Sequence, residues 1–422
     1  MNLLTNTQKN KLLIASLAII CLSSNSAFVY ANNSSQEHMP TSHPTMFTSP
    51  KAQLPPGPPP NGKFTEMANS SGAASELKAT KIITAANTQL SEQDFTNEKT
   101  DENALLIRQG STFTLLCSKL TKTGDSSNAD ASNFTGQNAI LLVNNSTATL
   151  NNLTLDSDAD GANAIFATGK NAHITAQHIK IHTKKDSSRG LDATYGGTIQ
   201  AEDIEICTEG AHCGALATDR GEGNVLVNGA KIQTAGEGSP CIYSTGNIQL
   251  TNGEGVASGS EIAVVEGKNS ITLNNTTLTG HSKHGIMLYQ SFSGDANVGV
   301  ASFIAQNSTL NNNSPGPMFY ITNTTAQASL TNTTLNQAGD ILAKVTSDRW
   351  GNVGKNGGDF TLNAQQQTLK GQILANNISK VTVNLSEGSI FQGTLNPDNQ
   401  AETASIHLAK DAVWQLTADA YV

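Results

Sequence analysis

The sequence is poor in aromatic and charged residues, which make up 5% and 14% of its 422 residues. Hydrophobic residues reach only 37%, below the 45–50% of an average globular domain. Such a composition excludes a long helical protein, and the low charge also excludes a highly charged disordered coil. Gly, Asn, Thr and Ser are spread along the whole chain instead, which indicates an all-β protein of many short strands and turns.

Positive charge is scarce as well. The 25 Lys and Arg residues are outnumbered by 34 Asp and Glu residues, and the formal net charge is −9. A protein that binds nucleic acid needs a basic face to displace counterions. No run of basic residues is present, so we expect no nucleic-acid partner.

The first 31 residues have the pattern of a signal peptide. Lys9 and Lys11 precede an apolar stretch from Leu12 to Cys21, and Val29 and Ala31 predict cleavage after residue 31. The apolar stretch is short for a membrane span, and no later segment is long and apolar enough to be one. The sequence therefore predicts an exported protein, either secreted, on the cell surface or periplasmic, with no membrane span once the leader is removed.

Four cysteines remain after cleavage. An even number in an exported chain permits disulfides, and Cys207 with Cys213 would close a short loop. The alternative is that these cysteines are buried as small hydrophobic side chains.

The sequence predicts that residues 32–80 are a disordered spacer. Hydrophobic periodicity is almost absent, and the proline-rich run at 54–60 favours an extended polyproline conformation. A docking ligand for another protein is the alternative for this run.

From residue 81 to residue 422 the chain repeats itself about every 25 residues. Apolar anchors recur in two series, one of Ile140, Ile165, Leu191, Leu216 and Ile242, and one of Leu155, Ile181, Ile206 and Ile232. Each anchor lies in a short alternating run that is typical of a half-buried strand. Because the same strand returns at the same phase, the strands stack in parallel, one coil above the next. This predicts a single parallel β-helix of roughly 13 coils with an N-terminal cap. The coils shorten to about 21–24 residues around 259–286 and lengthen to about 33 residues before Phe319.

The outward positions give an independent check on this register. It stacks Lys180, Glu205 and Lys231 as a ladder of alternating charge, which is favourable between neighbouring strands. It also places Asp156, His182 and Cys207 in one row.

Several loops resemble those of a known family. The runs at 188–199, 217–223, 238–246, 265–271, 287–291, 293–296 and 316–320 resemble exported bacterial right-handed β-helix proteins, which are described as adhesin-like or of unknown function. The resemblance covers roughly residues 100–422. The segment 414–422 is similar to the closing coil of autotransporter passengers. The resemblance implies a right-handed, pectin-lyase-like solenoid in an exported protein, and it implies little about chemistry.

Residues 156–161 repeat the opening of a calcium-binding loop. Asp156, Asp158 and Asp160 place carboxylates at alternate positions before Gly161. Ala167 stands where an EF-hand needs a bidentate Glu, which excludes that motif. A weak calcium site and a plain acidic turn are the two interpretations, and the sequence indicates no other cofactor.

Polar residues beside the apolar anchors define a predicted ligand groove. The stacking places along one face Asp192, Tyr195, Asp219, Arg220, Tyr243, Glu261, Glu266, Tyr289, Gln290 and Asp295. Carboxylates, an arginine and flat rings suit a sugar chain. If the protein is an enzyme, we expect Asp192, Asp219 and Glu266 to act with Arg220 as the positive partner. The alternative is that these residues build turns and cover coil edges.

These observations favour a secreted or surface interaction protein, adhesin-like, with a glycan or another host or cell-surface ligand as its partner. A polysaccharide lyase or glycoside hydrolase that uses the carboxylate groove is the second hypothesis. A structural spacer without a ligand is the third.

Overall fold

The computed structural model describes residues 77–422. The predicted signal peptide and nearly all of the predicted spacer lie outside the described residues. The first described strand begins at Lys78, so the regular structure starts within the last residues that the sequence assigned to the spacer. No helix within 77–422 combines the length and the apolar character needed to cross a membrane.

The described chain is a parallel β-solenoid of about 14 turns, which confirms the predicted parallel β-helix. All strand pairings in the described part are parallel. One sheet, called sheet A, contains 14 strands, one more than the predicted number of coils. They are β1 (Lys78–Ile83), β4 (Glu102–Ile107), β6 (Leu141–Asn144), β8 (Ile165–Thr168), β10 (Leu191–Thr194), β12 (Leu216–Thr218), β14 (Ile242–Ser244), β16 (Ala263–Glu266), β19 (Ile286–Tyr289), β22 (Phe319–Thr322), β25 (Ile341–Val345), β27 (Thr368–Ala375), β29 (Ile390–Leu395) and β31 (Val413–Gln415).

The remaining strands form sheet B. They are β2 (Thr88–Ser91), β3 (Asp94–Asn97), β5 (Thr112–Lys122), β7 (Thr147–Ser157), β9 (His173–Thr183), β11 (Thr198–Thr208), β13 (Asn224–Thr234), β15 (Asn247–Ala257), β17 (Ser270–Asn274), β18 (Thr277–Gly280), β20 (Val300–Gln306), β21 (Thr309–Asn312), β23 (Thr325–Thr331), β24 (Thr334–Gln337), β26 (Asp359–Gln365), β28 (Lys380–Leu385) and β30 (Thr403–Leu408). Among residues 77–422, one π-helical turn, Ala131–Thr135, lies between β5 and β6.

The predicted register is confirmed, with one slip. Ile206 pairs with Ile181 and with Ile232, and Glu205 pairs with Lys180 and with Lys231. His182 likewise pairs with Asp156 and Cys207. In the first series, however, Ile165 pairs with Leu141 and not with Ile140. The long coil before Phe319 is also confirmed, since Phe319 pairs with Ile286.

A column of left-handed residues bends sheet B in nearly every coil. The residues have positive φ and lie in the middle of the long strands, between the paired short ones or, for Gln366, between β26 of sheet B and β27 of sheet A. They are Glu92, Cys117, Asn152, His178, Asp203, Gly229, Asn252, Asn275, Asn307, Asn332 and Gln366. Asparagine adopts this conformation more readily than most side chains. The abundance of Asn in the sequence therefore has a structural cause at this corner.

The interior of the solenoid is one continuous apolar core. Side chains from the two sheets meet in this core: Phe319 of sheet A contacts Phe303 and Phe360 of sheet B, with ring centres 6.2 and 6.1 Å apart. Each fully buried Leu, Ile or Phe contributes about 1.5–3 kcal/mol to the free energy of folding.

The predicted disulfide between Cys207 and Cys213 is absent, because Cys213 is a free buried thiol. Its sulfur accepts a hydrogen bond from the backbone N–H of Ser188 at 3.0 Å, and its own N–H donates to Ser239 at 2.9 Å. Cys213 thus belongs to a stack of small side chains in the turns. Burial raises its pKa to about 11.

Candidate functional site

Most of the residues predicted to form a groove lie on the outer face of sheet A, in the coils between β10 and β19. Asp192 is on β10, Tyr243 on β14, Glu266 on β16 and Tyr289 on β19. The stacking brings them together as expected, but it places their carboxylates inside the protein. Asp192, Asp219 and Glu266 are 0%, 5% and 1% exposed.

A buried arginine holds two of these carboxylates. The guanidinium of Arg189 lies 3.2 Å from Asp192 Oδ2 and 3.0 Å from Asp219 Oδ2. It also donates to the side-chain oxygen of Asn133 at 3.1 Å. Asp219 accepts a further hydrogen bond from the N–H of Arg220. The group needed to neutralise this pair of carboxylates is thus Arg189, which the sequence analysis did not select.

One positive charge is shared by two carboxylates that water does not reach. Burial raises the pKa of Asp192 to about 7 and that of Asp219 to about 6, and Arg189 opposes the rise in both. The second oxygen of Asp192, Oδ1, is buried and has no hydrogen-bond partner among the described residues. Such a cluster is costly to disturb, because either carboxylate without Arg189 is an uncompensated buried charge.

Glu266 is held by hydroxyl groups. Tyr243 and Tyr289 donate to Oε2 at 2.7 and 2.8 Å, and Ser291 donates to Oε1. Burial, followed by the charge of Glu266, raises the pKa of both tyrosines well above the usual value. Both therefore remain protonated donors, and the carboxylate is solvated by the protein in place of water.

Two segments outside the repeat cover this face of sheet A. The first contains the π-helical turn, where Asn133 contacts Arg189 and the ring of Phe134 lies 3.7 Å from the guanidinium of Arg220. The second, residues 290–299, is called the strap. Arg220 joins the two segments, because its Nε donates to Asp295 of the strap at 2.8 Å.

The strap is held at its other end as well. Asn297 donates to Glu222 at 2.6 Å, and Lys268 forms an ion pair with the same carboxylate at 3.0 Å. At its start, the carbonyl of Gln290 accepts a hydrogen bond from Asn323. The outer face of sheet A is therefore closed over its polar residues.

Two predicted residues lie apart from this cluster. Glu261 accepts a hydrogen bond from Ser260 at 2.8 Å and contacts His284 at 3.2 Å, and His284 stacks on Tyr320 with ring centres 4.1 Å apart. Tyr195 is half-buried and left-handed, with φ of 49°. It packs against Gly221 of the next coil, and it covers a coil edge.

The three carboxylates of the predicted calcium loop face different partners. Asp156 pairs with Lys119 at 3.5 Å and Asp158 with Lys184 at 3.6 Å. Asp160 is exposed in the turn that follows. Calcium binding by these residues stays a prediction.

An open concave surface lies on the outer face of sheet B, where the sequence analysis placed no site. A groove of about 420 Å³ crosses strands β9, β11, β13 and β15. Two columns of side chains line it. One is Thr175, Gln200, Leu226 and Gln249, and the other is Gln177, Glu202, Asn228 and Thr251. All eight side chains are exposed or half-buried.

The groove follows from the bend in sheet B. The second column lies directly before the left-handed residues His178, Asp203, Gly229 and Asn252, so the sheet turns beside it. Between the columns lie the short residues Ala176 and Ala201, which point inward. The signal for this groove in the sequence is a set of polar outward residues that lie beside the left-handed residue of each coil.

The polar side chains of the groove connect along the stack. Asn151 donates to Gln177 at 3.3 Å, and Gln177 donates to Glu202 at 2.8 Å. On the other side, Asn252 donates to Asn228 at 2.8 Å. These hydrogen bonds hold the side-chain amides of the groove in place, one strand spacing apart along the stack.

No protein-family model matches the chain, and no curated protein matches it. Among solved structures, the chain is similar to one described as the crystal structure of a TibC-catalysed hyper-glycosylated TibA55-350 fragment. The match covers 78% of this chain and 100% of that chain, at 11% identity and a TM-score of 0.21. A likeness at these values carries no argument about fold or function.

Proposed function

We propose that the protein is an exported β-solenoid that acts as an adhesin-like interaction module and binds a glycan in the sheet B groove. The observation that carries the proposal is the open groove of about 420 Å³, lined mainly by amide and hydroxyl side chains. Binding sites are concave and have a few convergent polar groups. The amides of Gln and Asn both donate and accept hydrogen bonds, which matches the hydroxyl groups of sugars.

Binding is better supported than cleavage. A general acid or base must come within hydrogen-bond reach of the bond it acts on. Asp192, Asp219 and Glu266 are almost fully buried and are engaged by Arg189, Tyr243 and Tyr289. Their contacts hold the two covering segments on sheet A, which is a structural role.

A glycan array probed with the purified protein tests the proposal. We expect binding to a subset of glycans, and we expect the double variant Gln200→Ala with Gln249→Ala to lose most of it. Gln327→Ala is the matched control, because Gln327 is also an exposed glutamine of sheet B but does not line the groove. Absence of binding to every glycan, or equal binding by the double variant and the wild type, would contradict the proposal.

Export is tested separately. The full chain with its leader should be processed after Ala31 when it is expressed in a bacterial host, and N-terminal sequencing of the product should begin at Asn32. Retention of the unprocessed chain in the cytoplasm would count against export without affecting the binding test.

A further inference from the structure

The two columns of the sheet B groove run perpendicular to the strands. Gln200 pairs in register with Thr175 on one side and with Leu226 on the other, and Leu226 pairs with Gln249. Neighbouring strands are about 4.8 Å apart, so four strands present equivalent groups over about 14 Å. Only a ligand that lies along the solenoid axis contacts a whole column.

The groove offers no positive charge to an anion. No lysine, arginine or histidine is among the residues that line it, and Glu202 is its ionisable group. The lysines beyond the bend are already paired, Lys180 with Glu205 at 3.3 Å and Lys231 with Glu254 at 4.0 Å. At the bend itself, His178 faces Asp203 at 3.5 Å. A carboxylate or sulfate in the groove would face Glu202 without a compensating charge, and like charges brought together disfavour binding.

The same surface offers hydrogen-bond partners to the neutral hydroxyl groups of a sugar. The side chains of Gln200 and Gln249 are exposed and make no hydrogen bond among the described residues. Leu226 lies between them and is half-buried. It provides an apolar patch for the C–H face of a sugar ring, and the amides beside it can bind the ring hydroxyls.

We propose that the groove selects a neutral, unbranched glycan that lies along the solenoid axis, and that Glu202 excludes polyuronates and sulfated chains. This inference rests on the proposed function, and it adds the class and direction of the ligand. An unbranched chain is required because the groove contacts its ligand from two parallel columns, and a side branch would meet one of them.

The test compares two sets of oligosaccharides of equal length by calorimetry at fixed salt concentration. One set contains linear oligosaccharides of neutral hexoses, such as hexamers of β-1,4-linked glucose and of β-1,4-linked mannose. The other contains hexamers of galacturonate. We expect the wild-type full chain to bind a neutral hexamer at least about tenfold more tightly than the uronate hexamer, a difference of about 1.4 kcal/mol.

Glu202→Lys should reduce that ratio by about tenfold or reverse it, while Glu202→Gln should change it less. Glu202 is exposed, so the fold should tolerate both substitutions, and circular dichroism checks this. A wild-type preference for uronate, or a ratio that does not respond to Glu202→Lys, would overturn the proposed ligand class but leave glycan binding intact. Absence of binding to either set and to the whole array would overturn the proposed function as well.

Discussion

The outer faces of sheets A and B both carry polar side chains but use them differently. On sheet A the carboxylates are buried under two non-repeating segments and are neutralised by Arg189 or held by tyrosines. On sheet B the polar side chains stay exposed along a repeated bend. Polar groups of the first kind are costly to leave unpaired because they are buried, whereas those of the second kind contribute little to stability and remain available to a ligand.

The largest expected effect is on the free energy of unfolding, and it follows from removing Arg189, whose positive charge the two carboxylates of sheet A share. Arg189→Met should lower the free energy of unfolding by about 3–5 kcal/mol, because it leaves two buried carboxylates without the cation that neutralises them. Arg189→Lys, which keeps the charge, should lower it less. Urea titration followed by circular dichroism measures the change.

The matched control on sheet B is Lys231→Met. Lys231 is 71% exposed and lies 4.0 Å from Glu254, so we expect a loss below about 1 kcal/mol. Equal losses in Arg189→Met and Lys231→Met would remove the distinction between the two faces.

The second prediction concerns pH and applies to sheet A. Burial raises the pKa of Asp192 to about 7 and of Asp219 to about 6, from an ordinary value of 3.8. At a pH between 3.8 and the raised pKa values, the folded state holds protons that the unfolded chain has released. The stability contributed by the two groups is therefore highest in acid, and it is lost as the pH rises through 6 and 7.

Asp192→Asn isolates this effect. The urea midpoint should fall between pH 5 and pH 8 in the wild type by more than it falls in the variant. Using the difference between the two proteins cancels the opposite trend of exposed carboxylates such as Asp125, whose pKa is lowered by a backbone hydrogen bond from Asp160. If the variant and the wild type respond equally to pH, Asp192 does not titrate as proposed.

The fold was predictable because its signal is repeated. The stack of Ile181, Ile206 and Ile232 follows from alternating apolar residues that return at one phase, and the structure places these residues in register. The one slip, at Ile140, occurs in the run Ala139 to Val143, where every residue is apolar and buried. Without alternation, such a run does not say which residue faces inward.

The candidate site was harder to predict because its decisive parts are not repeated. Asn133, Phe134 and Asp295 come from segments that have no equivalent in the other coils, and their contacts with Arg189 and Arg220 join residues 56 to 86 positions apart. The sheet B groove is repeated, but the sequence predicted no site at its outward positions. Recognising it requires the bend at residues such as His178 and Asp203.

A third prediction separates the strap from the rest of sheet A. Asp295→Asn weakens the ion pair with Arg220, whose side chain is 39% exposed, and should cost about 1 kcal/mol locally. Amide hydrogen exchange in residues 290–299 should then become about fivefold faster, while the unfolding midpoint of the whole protein changes little.

Lys380→Gln is the control for the strap. It breaks an exposed ion pair with Glu402, and exchange in residues 290–299 should not respond to it. If Asp295→Asn also leaves this exchange unchanged, the contacts of Asn297 and Ser291 hold the strap without help from Arg220.

The smallest expected effect is on the exposed ladder of sheet B. Glu205→Lys would place three lysines at paired positions, with Lys180 and Lys231 on either side, and should cost up to about 1 kcal/mol at low salt. Glu205→Gln removes the attraction without adding repulsion and should cost less. Because these side chains are exposed, salt at about 1 M should nearly abolish the difference between the two variants. A difference that persists in high salt would mean that this column is shielded from water, and the contrast between a covered sheet A and an open sheet B would then fail at this ladder.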